Sequence, residues 1–265
     1  MESDVKFSRN ENQQLEILGK EIFISDMASF WKKISILIDS KKPHLVITLN
    51  VDQTNRLLHS EKFRMAFKSA SIVTLDGMPL VKLAKYLNFK NATRLTGADM
   101  LIDSCNFATN NALKICLLGG SNEIAIQAEK KLLKEFPALQ IVHIDFPFVS
   151  LDELTDNEVF RVIDKLNKEK PNIVFICLGS PKQEIFFLEN KSSIPACVYI
   201  GAGASVDFVG GSKKRAPKYF QKHSLEWMWR LAQEPKRLSR RYLISSWKII
   251  PILTRTIRNH KKNGN

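Results

Sequence analysis

Five short stretches of this 265-residue sequence place polar or glycine residues directly after apolar runs. They are Thr48-Leu-Asn50, Asp76-Gly-Met-Pro79, Leu118-Gly-Gly-Ser121, Gly179-Ser-Pro-Lys-Gln-Glu184, and Gly201-Ala-Gly-Ala204 with Asp207 nearby. A carboxylate such as Asp76, set against a strand end, can deprotonate a hydroxyl held within hydrogen-bond reach. It can equally be a turn aspartate that satisfies its own backbone. Thr48 and Asn50 lie two apart and so point to one side, where they either orient an acceptor or close the turn. Gly119 and Gly120, just ahead of a helix, can present backbone N–H groups to a phosphate, or simply make a tight turn. Ser180 and Pro181 read as the N-cap and first residue of a helix. That places Gln183 beside a strand end, within reach of a sugar or base. Arg94 and Asp99, in Arg94-Leu-Thr-Gly-Ala-Asp99, either bind substrate or pair as ions.

Charge singles out a further region. The net charge is +13, and residues 213–265 hold 15 Lys plus Arg against two acids, Glu226 and Glu234. Residues 1–212 carry 25 of each sign, so the whole excess lies in the last fifth of the chain. Such asymmetry points either to an anionic partner for that end, whether nucleic acid, lipid headgroups or a phosphate-bearing substrate, or to a solvated basic tail. Arg230, Arg237 and Arg240 can clamp a diphosphate, because guanidinium forks match phosphate oxygens. The segment from Trp247 to Arg258 mixes apolar and basic residues, as an interfacial segment does. A dimer contact is the other reading of it.

The elements that must position these residues alternate. Strand-like runs at about 21–24, 44–49, 71–75, 114–118, 140–144, 172–178 and 196–200 are separated by helical patterns at about 26–40, 53–69, 79–87, 97–109, 122–136, 152–168 and after Pro181. Apolar, β-branched strands alternating with helices predict right-handed crossovers and a largely parallel sheet. All five polar motifs then fall on one edge of that sheet, where open α/β folds bind ligands. From Pro217 the pattern is helical, and Pro235 starts a new helix. The expected architecture is a mostly parallel, Rossmann-like α/β domain over residues 1–210, its first ~18 residues a flexible tail. A basic helical appendage follows over residues 211–265. The four cysteines are far apart without a CxxC pair, which excludes a zinc ribbon or dithiol redox site. GKS/GKT and a full GxGxxG are both absent, which disfavours a Walker NTPase and an NAD-dependent oxidoreductase.

These blocks, in this order, resemble the WecG/TagA/CpsF family of bacterial glycosyltransferases. The match rests on Thr48-Leu-Asn50, Asp76-Gly-Met-Pro79, Arg94-Leu-Thr-Gly-Ala-Asp99, Leu118-Gly-Gly120, Gly179-Ser-Pro-Lys-Gln-Glu184 and Gly201-Ala-Gly-Ala-Ser-Val-Asp207. It continues through Lys214-Arg-Ala-Pro217, Leu225-Glu-Trp-Met-Trp-Arg-Leu231 and Glu234-Pro-Lys-Arg-Leu-Ser-Arg-Arg-Tyr242. One departure is Ser205-Val206 before Asp207, where phenylalanine is common.

The resemblance implies inverting, metal-independent transfer of a sugar, with no cofactor, from a UDP-sugar to a polyprenyl-diphosphate-linked sugar. N-acetylmannosamine onto N-acetylglucosamine is the expected pair. Asp76 then corresponds to the general base, and Thr48 and Asn50 place the acceptor. Arg94 and Gln183 match pocket positions, and Asp207 matches a nucleotide-side position. Arg230, Arg237 and Arg240 belong to an appendage that closes over it, Arg237 among the catalytic groups. The implied setting is the cytoplasmic face of the bacterial membrane, held peripherally on anionic lipid, with homo-oligomers as a further state and no nucleic-acid partner. A nucleic-acid-binding protein using the basic end is the competing reading, but it leaves Asp76 and the Gly179–Glu184 block without a role.

Overall fold

The structure, a computed structural model, describes residues 5–147, 155–217, 219–220, 225–239 and 250–263. Near the start, β1 (Phe7–Arg9), β2 (Leu15–Ile17) and β3 (Lys20–Glu21) pair antiparallel in that order. Val5, Phe7, Leu15 and Ile17 alternate inward and are buried in the main core. The expected flexible tail is therefore corrected: apolar residues at period two gave this segment a face to bury. The strand expected at 21–24 is split. Glu21 ends β3, while Phe23 bridges Thr74 at the edge of the main sheet.

The alternating elements follow. They are α1 (Met27–Asp39), β4 (His44–Leu49), α2 (Val51–His59), α3 (Glu61–Ser69), β5 (Ile72–Leu75), α4 (Met78–Tyr86), α5 (Gly97–Asn110) and β6 (Lys114–Leu118). Next come α6 (Asn122–Glu135), β7 (Gln140–Ile144), α7 (Asp156–Glu169), β8 (Ile173–Ile176), α8 (Lys182–Asn190), β9 (Val198–Gly201) and α9 (Ser205–Gly210). Three further helices are α10 (Glu226–Gln233), α11 (Pro235–Ser239) and α12 (Ile250–Asn263). Strands β4 to β9 form one sheet in the order β5-β4-β9-β8-β6-β7, every described pair parallel. The α/β fold class expected from the alternation is what the chain adopts.

The inner strands β4, β6, β8 and β9 of the main sheet are largely apolar on both faces because each face is covered. Leu45, Ile47 and Leu49 of β4 pack with residues of α2, α3, α4, α7 and α8 and with the N-terminal strands, whereas Val46 packs with α1, α5 and α6. Local chemistry sets the helix boundaries. Asp26 caps α1 by accepting the Ser29 N–H. The helix expected at 53–69 breaks at Ser60, whose extended backbone ends α2 while its hydroxyl accepts the Phe63 N–H of α3. Thr155 and Glu158 form a reciprocal capping box that starts α7 at Asp156, later than expected. The Ser180–Pro181 bond is cis, and Pro181 rather than Ser180 occupies the N-cap position of α8. Pro235 does open a new helix.

Register aligns the carboxyl ends. Leu49 pairs with Leu75, Leu118 with both Ile144 and Ile176, and Ile176 with Gly201. The residues following those strands therefore share one edge. Part of the expected interfacial segment packs on the body instead: Ile252 and Thr256 of α12 are buried, and the Thr256 hydroxyl accepts the Phe7 N–H at 3.4 Å.

Close approach at this edge depends on Gly97, where a Cβ would lie 2.8 Å from Ala202 Cα. Helix propensity alone favours alanine by at most about 1 kcal/mol, whereas overpacking against backbone costs about 1–3 kcal/mol. Gly97→Ala should therefore destabilise the protein by about 1–2 kcal/mol in urea unfolding. Gly77→Ala, whose nearest neighbours would be 3.6 Å away, should change the midpoint little.

Candidate active site

The floor of the edge is built from backbone. Thr48 is buried and donates its hydroxyl to the Gly201 carbonyl at 2.9 Å, tying β4 to β9. Asn50 caps α2: its side-chain oxygen accepts the Gln53 N–H at 3.1 Å, and its own N–H donates to Gln53 Oε1 at 2.9 Å. The Asp76 N–H donates to the Leu49 carbonyl at 2.8 Å, which sets Asp76 beside Asn50. Gly119 and Gly120 both take positive φ, +89° and +86°, in the turn before α6. The Gly119 N–H is engaged by the Ile144 carbonyl, so the sheet ladder already uses one of the two donors expected there.

Above this floor four charges meet. Arg94 donates from Nε to the Asp76 carbonyl at 2.6 Å, and its Nη2 lies 3.4 Å from Asp76 Oδ1. The same Nη2 is 2.6 Å from Glu226 Oε2. Arg230 bonds the other oxygen of Glu226, also at 2.6 Å, while its guanidinium lies over the Phe208 ring at 5.1 Å. Burial pushes the Asp76 carboxyl above the ordinary aspartate value, and Arg94 and Arg230 recover only part of that, with Glu226 adding to the rise. Burial also works to raise Glu226, but there Arg230 and Arg94 outweigh it and hold the carboxyl below its ordinary value. The cluster thus contains one carboxylate poised to take a proton and one held ionised.

Beside it sits a neutral-leaning cluster. Glu184 is fully buried, and its Oε1 accepts from Gln53 Nε2 and Gln183 Nε2, each at 2.9 Å. Gln183 Oε1 in turn accepts the Gly203 N–H at 3.2 Å. Burial drives the Glu184 carboxyl upward, opposed by those hydrogen bonds, and its Oε2 is buried without a hydrogen-bond partner. Farther along the edge, Asp207 pairs with Lys213 at 2.9 Å. Asp99 accepts from Thr96 at 2.7 Å and from Arg215 at 2.5 Å. Arg94 and Asp99, read as substrate binders or as an ion pair, thus each have another partner.

The family profile described as "Glycosyl transferase WecG/TagA/CpsF family" matches residues 15–263. This chain belongs to the WecG/TagA/CpsF family of glycosyl transferases. Among its relatives are N-acetylglucosaminyldiphosphoundecaprenol N-acetyl-beta-D-mannosaminyltransferases of Staphylococcus aureus strains MW2 and NCTC 8325. Each is 26% identical over 234 residues, spanning 88% of this chain and 89% of its own. The protein is accordingly an enzyme, a glycosyltransferase.

On this transferase the structure brings Thr48, Asn50, Asp76, Arg94, Gln183 and Arg230 to one end of the sheet, with Asp207, Gly119 and Gly120 along the same edge. The Arg237 side chain and the whole of Arg240 lie outside the described residues. Three contributors were not among the expected site residues: Gln53, and Glu184 and Glu226, which lie within motifs quoted from the sequence but were given no role. Glu226 stood out in sequence as one of two acids in a basic stretch, and its isolation there was the available signal. Gln53 and Glu184 are 131 residues apart, so no local spacing announces their bond. Among the described residues no group of three His, Cys, Asp or Glu is gathered to hold a metal ion, and no helix is long and apolar enough to cross a membrane.

Because the folded protein holds protons on Glu184 and Asp76 at pH values where the unfolded chain has lost them, stability falls as pH rises from their ordinary values through the raised ones. Glu184→Gln removes one of these contributions. Its urea stability should decline less than wild type as pH rises above the ordinary glutamate value. Parallel curves would contradict a proton-binding Glu184.

Proposed function

We propose that this enzyme transfers N-acetylmannosamine from a UDP-sugar to N-acetylglucosamine carried on a polyprenyl diphosphate, with inversion and without a metal ion. The donor and acceptor follow the relatives' names and the family resemblance. The observation that carries the chemistry is the Asp76–Arg94–Glu226–Arg230 cluster at the carboxyl edge of the sheet. In the proposed step an acceptor hydroxyl oxygen bonds to the anomeric carbon while its proton passes to an Asp76 oxygen. The bond from that carbon to the diphosphate breaks, and its electron pair stays on the phosphate oxygen. That developing charge needs preorganised cations. Arg94 and Arg230 supply them at the cluster, joined in this reading by Arg237 and Arg240.

The partly buried setting of Asp76 suits a base. Raising its pKa makes it a stronger proton acceptor. Thr48 and Asn50 flank the acceptor in this account, Gln183 lines the pocket, and Gly119, Gly120 and Asp207 serve the nucleotide side. Residues 211–265 act as the basic appendage, attracting anionic lipid at about 1 kcal/mol per basic residue near the surface. The enzyme works peripherally at the inner membrane face, where its lipid-linked acceptor resides, and homo-oligomers remain part of the proposal.

Purified enzyme given UDP-N-acetylmannosamine and a short-chain lipid-diphosphate N-acetylglucosamine should form the disaccharide in the presence of a chelator. Asp76→Asn should lower turnover by about 10²–10⁴-fold while leaving nucleotide binding largely intact. The wild-type rate should fall as pH drops through the raised Asp76 pKa, since the base works only when ionised, and that acid limb should vanish in the variant. Normal turnover in Asp76→Asn removes Asp76 as base, and loss in chelator with recovery in magnesium removes the metal-free mechanism. Separately, anionic vesicles should bind the full chain in a salt-sensitive way and lose it after deletion of residues 246–265.

A further inference from the structure

We propose that Glu226 is a positioning residue, the latch that seats helix α10 against the Asp76 end of the sheet. The inference deepens the transfer reading and rests on it for its kinetic consequences. Its geometry stands apart from that reading. Glu226 is 12% exposed, and each of its oxygens accepts a 2.6 Å bond from a different guanidinium. One of these, Arg94, belongs to the body and simultaneously holds the carbonyl and carboxylate of Asp76. The other, Arg230, lies one turn along α10 itself. Charge-assisted bonds of this length are among the strongest available to side chains.

Other contacts of α10 run elsewhere. Trp229 and Gln233 donate to the Lys214 carbonyl, and the Lys214 N–H donates to Gln233, all within the C-terminal stretch. Phe208 receives Arg230 from α9. Among the described residues, Glu226 is a side chain by which α10 bonds Arg94 and, through it, reaches the base. The type of residue matters. A carboxylate has two equivalent acceptor oxygens and can bridge two cations. An amide has one acceptor oxygen, and its NH₂ turns donor hydrogens toward the second guanidinium. In a stretch with such an excess of cations, a buried acid that bonds the body gives α10 one fixed docking register.

The groups facing Asp76 are Arg94 from the segment after α4, and Arg230 and Glu226 from α10. Undocking α10 would take away burial and the Glu226 charge, both of which raise the Asp76 pKa, and also Arg230, which lowers it. Glu226→Gln in any case removes the neighbouring negative charge that adds to the rise at Asp76, which moves that pKa downward.

The test uses full-length protein carrying Glu226→Gln, Glu226→Asp or no change. Hydrogen exchange of the α10 backbone should be at least tenfold faster in Glu226→Gln, with the strands of the main sheet as protected as in wild type. With the lipid-linked acceptor, kcat/KM should fall at least tenfold and the acid limb of its pH profile should move to lower pH. Glu226→Asp, which keeps the charge on a shorter stem, should recover part of both effects. Wild-type protection of α10 together with an unmoved acid limb in Glu226→Gln would overturn the latch. Exchange needs no substrate, so a wild-type protein that transfers no sugar would defeat the transfer reading while the latch was still decided.

Discussion

An ionised carboxylate taken partly out of water must be given cations, and the site is organised around meeting that requirement for Asp76. Arg94 answers it from the body by gripping both the backbone and the side chain of Asp76. Two such carboxylates with two guanidiniums form a balanced cluster, in which neither acid is left as an uncompensated buried charge. The balance is uneven by design of position. Glu226 touches both arginines at short range and stays ionised, whereas Asp76 has the longer bond and the raised pKa. Within one cluster, burial and the distance to the guanidiniums together separate an anchoring acid from a proton acceptor.

That cluster exists only because the sheet delivers its members to one place. In a parallel sheet every strand ends at the same edge, so residues from distant parts of the chain converge without any of them being neighbours in sequence. Asp76 and Arg94 are joined by the run in which Leu95 extends the edge of β5, its N–H donating to the Leu75 carbonyl. The bond from Thr48 to Gly201 and the clasp of Gln53, Glu184 and Gln183 close the middle of the same edge. Buried polar networks of this sort are costly unless satisfied, and here the Gln53 and Gln183 amides both donate to Glu184 Oε1. Helix α10 meets that floor through Glu226 and Arg230.

Much of the body was legible beforehand, because the signals were strong and local. Runs such as His44–Leu49 and Lys114–Leu118 are apolar at consecutive positions, as a strand covered on both faces must be. Helix patterns of three-to-four period lay between them. The errors have physical sources. Ser60 interrupts a continuous helical pattern because its hydroxyl competes for the backbone of the next turn. Residues 5–17 looked polar and tail-like by composition, yet four apolar side chains at alternating spacing were enough to fold them onto the core. In the same way Ile252 and Thr256, in a segment read as interfacial, found a place against β1.

From composition and order of residues alone came the α/β class, the shared edge of the five motifs, the basic excess after residue 212 and the family. Each depends on short-range periodicity, on charge counting or on ordered blocks, none of which needs three-dimensional contact. Tertiary structure decided the pairing. It joined Arg94 to Glu226 across 132 residues and Gln53 to Glu184 across 131, and assigned Asp99 to Arg215. It also fixed which carboxyl is strained by burial and which is held ionised. Those outcomes rest on distances of a few ångströms and on loss of water, and only a folded chain sets either one.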